Sequence, residues 1–344
     1  MDLGYEAAAC SKLKDGTPDD EFLISRILFL TTYNTNLDYE KLIDEHHLAD
    51  NLTQIIAKNG KQYFAKQKKV KELDPTEDMA LIETLKLFFN VTHFCPQRSG
   101  AFSQAIPHIL IILAKRPIIQ SKPLEPPIAQ LVNALLNLPL EERDNISALF
   151  PKVNLHFHAE RLVEILDYSI KIYKDDDLES LVTPVLALIR KLNEIGPKEA
   201  QNFLRHRLLP TQKDREKPVG KGESLSARLI RLSTNITTPQ IRENVSGLLF
   251  ELSDKDARHF VQNVGYGFAS GFLVQHNVPI PENAFEAWST NSSEGNTRTS
   301  QDSGKAINPI TGQTLESEAK MELPEMTNDE KEREAEKLFV LFER

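Results

Sequence analysis

Two apolar helical patterns in this chain end in the same way, and that repetition constrains the fold more than any other feature. The stretch MALIETLKLFFNVTHF buries Met79, Ile82, Leu85 and Phe89 at helical spacing and then interrupts its apolar tail with Asn90. A later stretch, IAQLVNALLNLP, repeats the ending with Asn137. The offset, 137 − 90 = 47, lies at the upper end of the ~40–47 residue period of armadillo and HEAT repeats. Between and around them the helical period continues. Tyr39, Leu42, Ile43, Leu52, Ile55 and Ile56 outline one amphipathic pattern, and Leu162, Leu166, Ile170 and Tyr173 line another. LVTPVLALIRKLNEIG carries Pro184 inside the pattern, which predicts a kink or a late start, and closes on Gly196 and Pro197. No sustained apolar/polar alternation bounded by hairpin turns occurs, so strands are not needed. The expected fold is all-α: an armadillo/HEAT-like superhelix in which each helix pair buries its face against the next, followed by a C-terminal linker and a docking helix.

Local signals place the boundaries. Residues 1–19 are small and polar and are expected to fray; 20–286 form the repeat domain. At its start, FLISRILFLTTY is apolar on nearly every side, as expected of a helix buried between neighbours. Asp74-Pro75-Thr76-Glu77 reads as a helix start with Asp74 as N-cap and Glu77 reaching back. Thr238-Pro239 starts another. Residues 287–326, which include WSTNSSEGNTRTSQDSG, are a flexible Ser/Thr-rich linker by composition, with a turn at Asn308-Pro309-Ile310-Thr311-Gly312. Thr327 and Glu330 open a last helix within 327–344, whose Leu338, Phe339, Leu341 and Phe342 need an apolar surface.

Composition narrows the function classes. A net charge of −9 gives no reason to expect nucleic acid or an anionic membrane as partner. The longest apolar run, Ile109 to Ala114, is far short of the ~18 residues of a membrane span. Cys10 and Cys95 are the two cysteines; they form neither a disulfide framework nor a metal spacing, so a cytosolic protein is expected. The lysines at 58, 61, 66, 68, 69 and 71 read as a solvated loop.

No constellation reads as catalytic. Gly220-Lys221 is followed by Gly222 where a phosphate loop needs Ser or Thr, and Arg215 stands where its first glycine belongs. Gly265, Gly267 and Gly271 follow a helical pattern, so a tight helix corner fits them better than a dinucleotide fingerprint. His156, His158 and Glu160 converge on a metal only in an extended segment, and on a helix entrance they are surface residues; His46 and His47 fare no better. No metal and no cofactor is expected. The basic group Lys221, Arg228, Arg231 and Arg242 is a solvated helix face by charge alone.

Several motifs in fixed order resemble the synembryn family: L-L-P from Leu208, K-P-x-G from Lys217, R-L-x-R-L-x-T from Arg228, L-L-F-x-L from Leu248 and G-Y-G-x-A-x-G-x-L from Gly265. R-I-L-F-L-T-T at Arg26, L-K-L-F-F-N-V-T at Leu85, N-A-L-L-N-L-P-L at Asn133, N-P-I-T-G at Asn308 and M-T-N-D-E-K-E-R-E-A-E-K-L at Met326 extend the likeness over most of the chain. The resemblance implies a non-catalytic guanine nucleotide exchange factor and folding chaperone for heterotrimeric G-protein α subunits. In such a protein the concave face of the array holds the Gα C-terminal helix and engages its nucleotide-binding domain, so that GDP leaves. It further implies a cytoplasmic protein recruited to the cell cortex through Gα. On this basis Lys86, Phe89 and Asn90 are placed in the groove. Asn90 has an equal alternative as the cap of a neighbouring helix. The likeness also gives Lys221, Arg228, Arg231 and Arg242 contacts with acidic or phosphorylated segments. Ser293 and Thr299 in the linker are the candidate phosphorylation sites, although this linker is less acidic than the animal pattern. Family members carry further repeats before the position matching residue 20 and a tail after Arg344, so a partial, fungal-type chain is expected. The competing reading is a helical-repeat scaffold that binds peptides without exchange activity.

Overall fold

A computed structural model describes residues 5–33, 37–64, 74–280, 288–289, 306–318 and 333. Among them are fifteen α-helices: α1 (Tyr5–Asp15), α2 (Pro18–Thr31), α3 (Tyr39–Asp44), α4 (Leu48–Phe64), α5 (Pro75–Phe94), α6 (Ile106–Lys115), α7 (Ile128–Leu136) and α8 (Arg143–Leu149). Then follow α9 (Phe157–Ile172), α10 (Asp175–Ile195), α11 (Lys198–Leu208), α12 (Leu225–Leu232), α13 (Pro239–Leu252), α14 (Ala257–Val264) and α15 (Tyr266–Gln275). The helices stack in two rows. In the first, α2, α5, α7, α10 and α13 pack in succession; in the second, α1, α4, α6, α9 and α11 do the same, and the rows face each other through pairs such as α4 with α5 and α9 with α10. One continuous apolar core runs between them from Cys10 to Leu273. The fold is therefore the all-α repeat array that the periodicity predicts.

The Asn repeat has a structural cause. Asn90, near the end of α5, donates through Nδ2 to Thr32 Oγ1 at 2.7 Å, and Thr32 is the C-cap of α2. Asn137, the C-cap of α7, donates back to Phe89 O at 3.1 Å and to Thr92 Oγ1 at 3.2 Å on α5. Each amide ties one first-row helix to the C-terminal part of the preceding one.

The structure corrects several expectations. Residues 5–15 are helix, with Cys10 and Leu13 buried and Cys10 O accepting from Asn51 Nδ2 at 2.8 Å. The Ala7–Ala9 run has the highest helix propensity and fits a close approach, which a reading by polarity overlooks. The helix α2 is not enclosed: Leu23, Ile27 and Leu30 are each more than half exposed. Its inner face is instead partly polar, with Ser25 Oγ and Thr84 Oγ1 3.1 Å apart and Glu21 accepting from Lys58 at 3.0 Å. Met79 is likewise exposed. Asp74 caps α5 by accepting from Thr76 N at 2.9 Å, but Glu77 accepts from Gln62 rather than closing a capping box. Pro184 sits inside a continuous α10, next to Thr183, whose hydroxyl donates to Glu179 O at 2.6 Å.

Part of the predicted linker is structured. Strand β1 (Trp288–Ser289) pairs antiparallel with β2 (Ala306–Ile307), and residues 308–318 lie against the loop before α12 and the corner between α14 and α15. Backbone hydrogen bonds, which composition does not report, hold this segment. Ser293, Thr299 and the rest of the linker lie outside the described residues, as does the last helix apart from Arg333, which is helical. No described helix is long and apolar enough to cross a membrane.

Candidate functional site

Lys86, Phe89 and His93 recur at spacings of three and four and therefore share one face of α5. That face belongs to an aromatic strip along the C-terminal halves of α2 and α5. Phe29 and Tyr33 meet edge to face at 5.3 Å, and Lys86 Nζ stands 5.9 Å over the Phe29 ring. Phe89 stacks on His93 at 5.7 Å, His93 meets Phe94 at 5.2 Å, and Phe94 stacks on Tyr39 at 5.8 Å. Tyr33 and Phe94 are about half exposed, at 50% and 48%. Interlocking rings hold each other in place with little rotamer freedom, so the strip is a preorganised apolar surface of the composition that dominates protein interfaces.

The charges beside it are fixed. Glu83, buried to 4% exposure, accepts from Lys86 Nζ at 2.7 Å and from Arg26 Nη1 at 3.3 Å. Two cations thus share one carboxylate, leaving a net positive spot at the strip. Asn90, one residue beyond Phe89, turns about 100° away on the helix. It is 5% exposed and spends its amide on Thr32. Of the three groove residues expected, Lys86 and Phe89 lie on the surface together, while Asn90 takes its alternative place in a helix–helix tie.

The first row continues past Asn133 and Asn137 of α7 to a polar cleft of about 530 Å³ between α10, α11 and α13. Arg190 is its centre. It donates to both carboxylate oxygens of Glu251, the shortest contact being 2.6 Å, and to Asn244 Oδ1 at 3.2 Å. The carboxylate raises the arginine's pKa above its ordinary value. Gly247 makes room for this guanidinium, since a Cβ there would stand 3.0 Å from Arg190 Nη2.

The predicted basic group is not brought together as a free patch. Arg228 pairs with Asp167 of α9 and also donates to Glu223 O, leaving its side chain 14% exposed. Arg231 Nη1 donates to Gly220 O and Gly222 O, both at 2.6 Å. These arginines brace the loop that carries Lys221, which is exposed; Arg242 is half-buried in the first turn of α13. Spacing on one helix places Arg228 and Arg231 side by side, but nothing in the spacing announces Asp167 or the glycine carbonyls. Sequence reading also passes over Phe29, Tyr33, Tyr39, His93, Phe94 and Arg190. The aromatic cluster at the ends of FLISRILFLTTY and FFNVTHF was its only signal. His156 stacks on Phe203 at 4.4 Å, whereas His158 is buried rather than superficial and its Nδ1 has no hydrogen bond.

Comparison with known proteins gives one consistent result. A family model described as Ric8, guanine nucleotide exchange factor synembryn, matches residues 1–344. The chain is 29% identical over 282 residues to a synembryn-like chaperone of Schizosaccharomyces pombe, covering 78% of this chain and 52% of that protein. It is 28% identical over 284 residues to chaperone Ric-8A of Xenopus laevis, covering 79% and 52%. With chaperone Ric-8A of Rattus norvegicus it shares 25% identity over 339 residues, covering 94% and 62%. The chain spans about half the length of most of the curated relatives it matches.

Proposed function

The chain belongs to the Ric8, or synembryn, family, and we propose that its first helix row binds a heterotrimeric G-protein α subunit and promotes GDP release without chemistry of its own. The aromatic strip from Phe29 to Phe94 carries this reading. It offers an amphipathic helix rigid rings for its apolar face and the Arg26–Lys86 pair for an acidic group beside it. That helix is the C-terminal helix of Gα. Holding it away from the nucleotide-binding domain stabilises an opened Gα over the closed one, and only such a difference in affinity shifts the equilibrium toward nucleotide loss. The same preference for an incompletely closed partner supports assistance in Gα folding. No cofactor or nucleic acid enters the scheme, and Gα would bring the protein to the cell cortex.

The test is release of labelled GDP from purified Gα with and without this chain, using intact Gα and Gα lacking its C-terminal helix. Acceleration that requires the helix is expected, and Phe89→Ala shifts it to higher concentrations of this chain. Binding without acceleration points to a scaffold or holding chaperone. Absence of binding overturns the proposal.

A further inference from the structure

Residues 308–312 form a turn closed by Gly312 N donating to Asn308 O at 2.9 Å, and its other four carbonyls all accept from the array. Tyr266 N donates to Pro309 O at 2.7 Å, Gly267 N to Ile310 O at 3.3 Å and Val219 N to Thr311 O at 3.0 Å. Arg215, buried to 7% exposure, donates through Nη1 to Gly312 O at 3.0 Å. In the other direction, Thr314 N donates to Arg215 O at 2.9 Å, and Gln313 Nε2 to Glu216 O at 3.0 Å. The turn is shaped before it docks. Asn308 Oδ1 accepts from Ile310 N at 2.9 Å and from Thr311 N at 3.3 Å, and Gly312 takes a φ of +65° that side chains disfavour. Both partners are trimmed to contact. A Cβ at Gly265, where φ is +83°, would meet Ile310 O at 2.8 Å, and one at Gly312 would meet Val219 Cγ2 at 2.9 Å.

This attachment is mainly polar and directional. The continuous apolar cluster contains Val219, Val264 and Leu273 but no residue from 306 to 318; within the segment Ile307 is buried at 5% exposure, whereas Ile310 of the turn is 51% exposed. The receptor side has its own packing, with Phe250 of α13, Phe260 of α14 and Phe272 of α15 in mutual ring contact at 5.4–5.7 Å. Emptying the cleft leaves the phenylalanine cluster in place but removes one acceptor each from three backbone N–H groups and from buried Arg215, which keeps its bond to Asn263 O. Such a cleft demands a ligand rich in backbone carbonyls.

We propose that the cleft between Arg215–Val219 and Gly265–Gly267 is a peptide-recognition site for a turn of the form Asn-Pro-x-Thr-Gly. It is filled here by the chain's own residues 308–312, which detach as a unit and can be replaced by the same turn supplied in trans. The site is separate from the aromatic strip, and it gives the end of the array a strapped and an unstrapped state.

The experiment is hydrogen exchange read by mass spectrometry on the full chain and on Asn308→Ala, which weakens the turn without touching its receptor. In the variant, exchange of residues 215–220 and 265–268 should rise about tenfold or more, confined to those segments. A synthetic peptide of residues 306–318 should restore protection, and the same peptide carrying G312V should not. Unchanged exchange, acceleration spreading through α9 to α13, failure of the native peptide to protect, or equal protection by the G312V peptide would each overturn the proposal.

Discussion

Replacing Asn90 by Ala separates an internal tie from a contact with the partner. Its Nδ2 donates to Thr32 Oγ1 at 2.7 Å, and that hydroxyl in turn donates to Phe29 O at 2.6 Å. Removing the amide therefore leaves no buried donor unpaired; it costs one hydrogen bond, roughly 1 kcal/mol, with a comparable contribution from the space vacated at a position 5% exposed. The expected loss is about 2 kcal/mol, or roughly 4–8 °C in Tm at the scaling for larger domains. The assay pairs urea unfolding followed by circular dichroism with capture of purified Gα. A lower midpoint with retained binding is expected under conditions where the variant stays folded. Unchanged stability together with lost binding would refute the reasoning, since the amide would then be reaching a guest rather than α2.

Phe89→Ala behaves in the opposite sense: Gα affinity drops by about tenfold to a hundredfold, as removal of an interface anchor does, with a smaller change in unfolding midpoint than Asn90→Ala produces. Titration calorimetry checks this. Burial pushes the His158 pKa down to about 4, partly opposed by its hydrogen bond with the Ala148 backbone. The unfolded chain thus binds more protons between about pH 6.5 and pH 4. Stability is full above that window and falls as pH drops through it, by an amount on the order of 3 kcal/mol that His158→Leu removes; unfolding midpoints across the window measure it. Gly271→Ala in α15, where a Cβ meets nothing within 4 Å, should gain about 1 kcal/mol. Gly247→Ala should gain nothing, because its Cβ displaces the Arg190 guanidinium from Glu251; paired thermal melts decide.

How much of this was legible depends on whether a feature is local. Helical period and the Asn90–Asn137 recurrence are local, and they gave the architecture and its scale. Which face of a helix is covered is not local. FLISRILFLTTY reads as enclosed because the sequence does not say that Leu23, Ile27 and Leu30 of α2 are left more than half exposed among the described residues. The same applies to charge: Arg228 and Arg231 look available until Asp167, some sixty residues earlier, and two glycine carbonyls take their hydrogens. Lys86 and Phe89 were within reach because α5 presents them on one face. The NPITG turn and the GYG corner were each visible, but their mutual contact was not.

Directional ties join neighbouring first-row helices at several levels along their length. Thr32–Asn90 joins the end of α2 to α5, Asn137 joins the end of α7 to Phe89 and Thr92, Arg190–Glu251 joins the C-terminal half of α10 to the last turn of α13, and Gln240 N donates to Glu179 at the starts of the same two helices. Apolar packing tolerates small sliding between helices, whereas directional bonds do not. The row is therefore tied unevenly: α10 and α13 are bonded near both ends, α2 and α5 at the middle and the end, and α5 and α7 near their ends. The aromatic strip lies beside the ties of α2, α5 and α7, with Phe29 O and Phe89 O themselves accepting from Thr32 and Asn137, so a partner docked there bears on directional bonds and not on apolar packing alone.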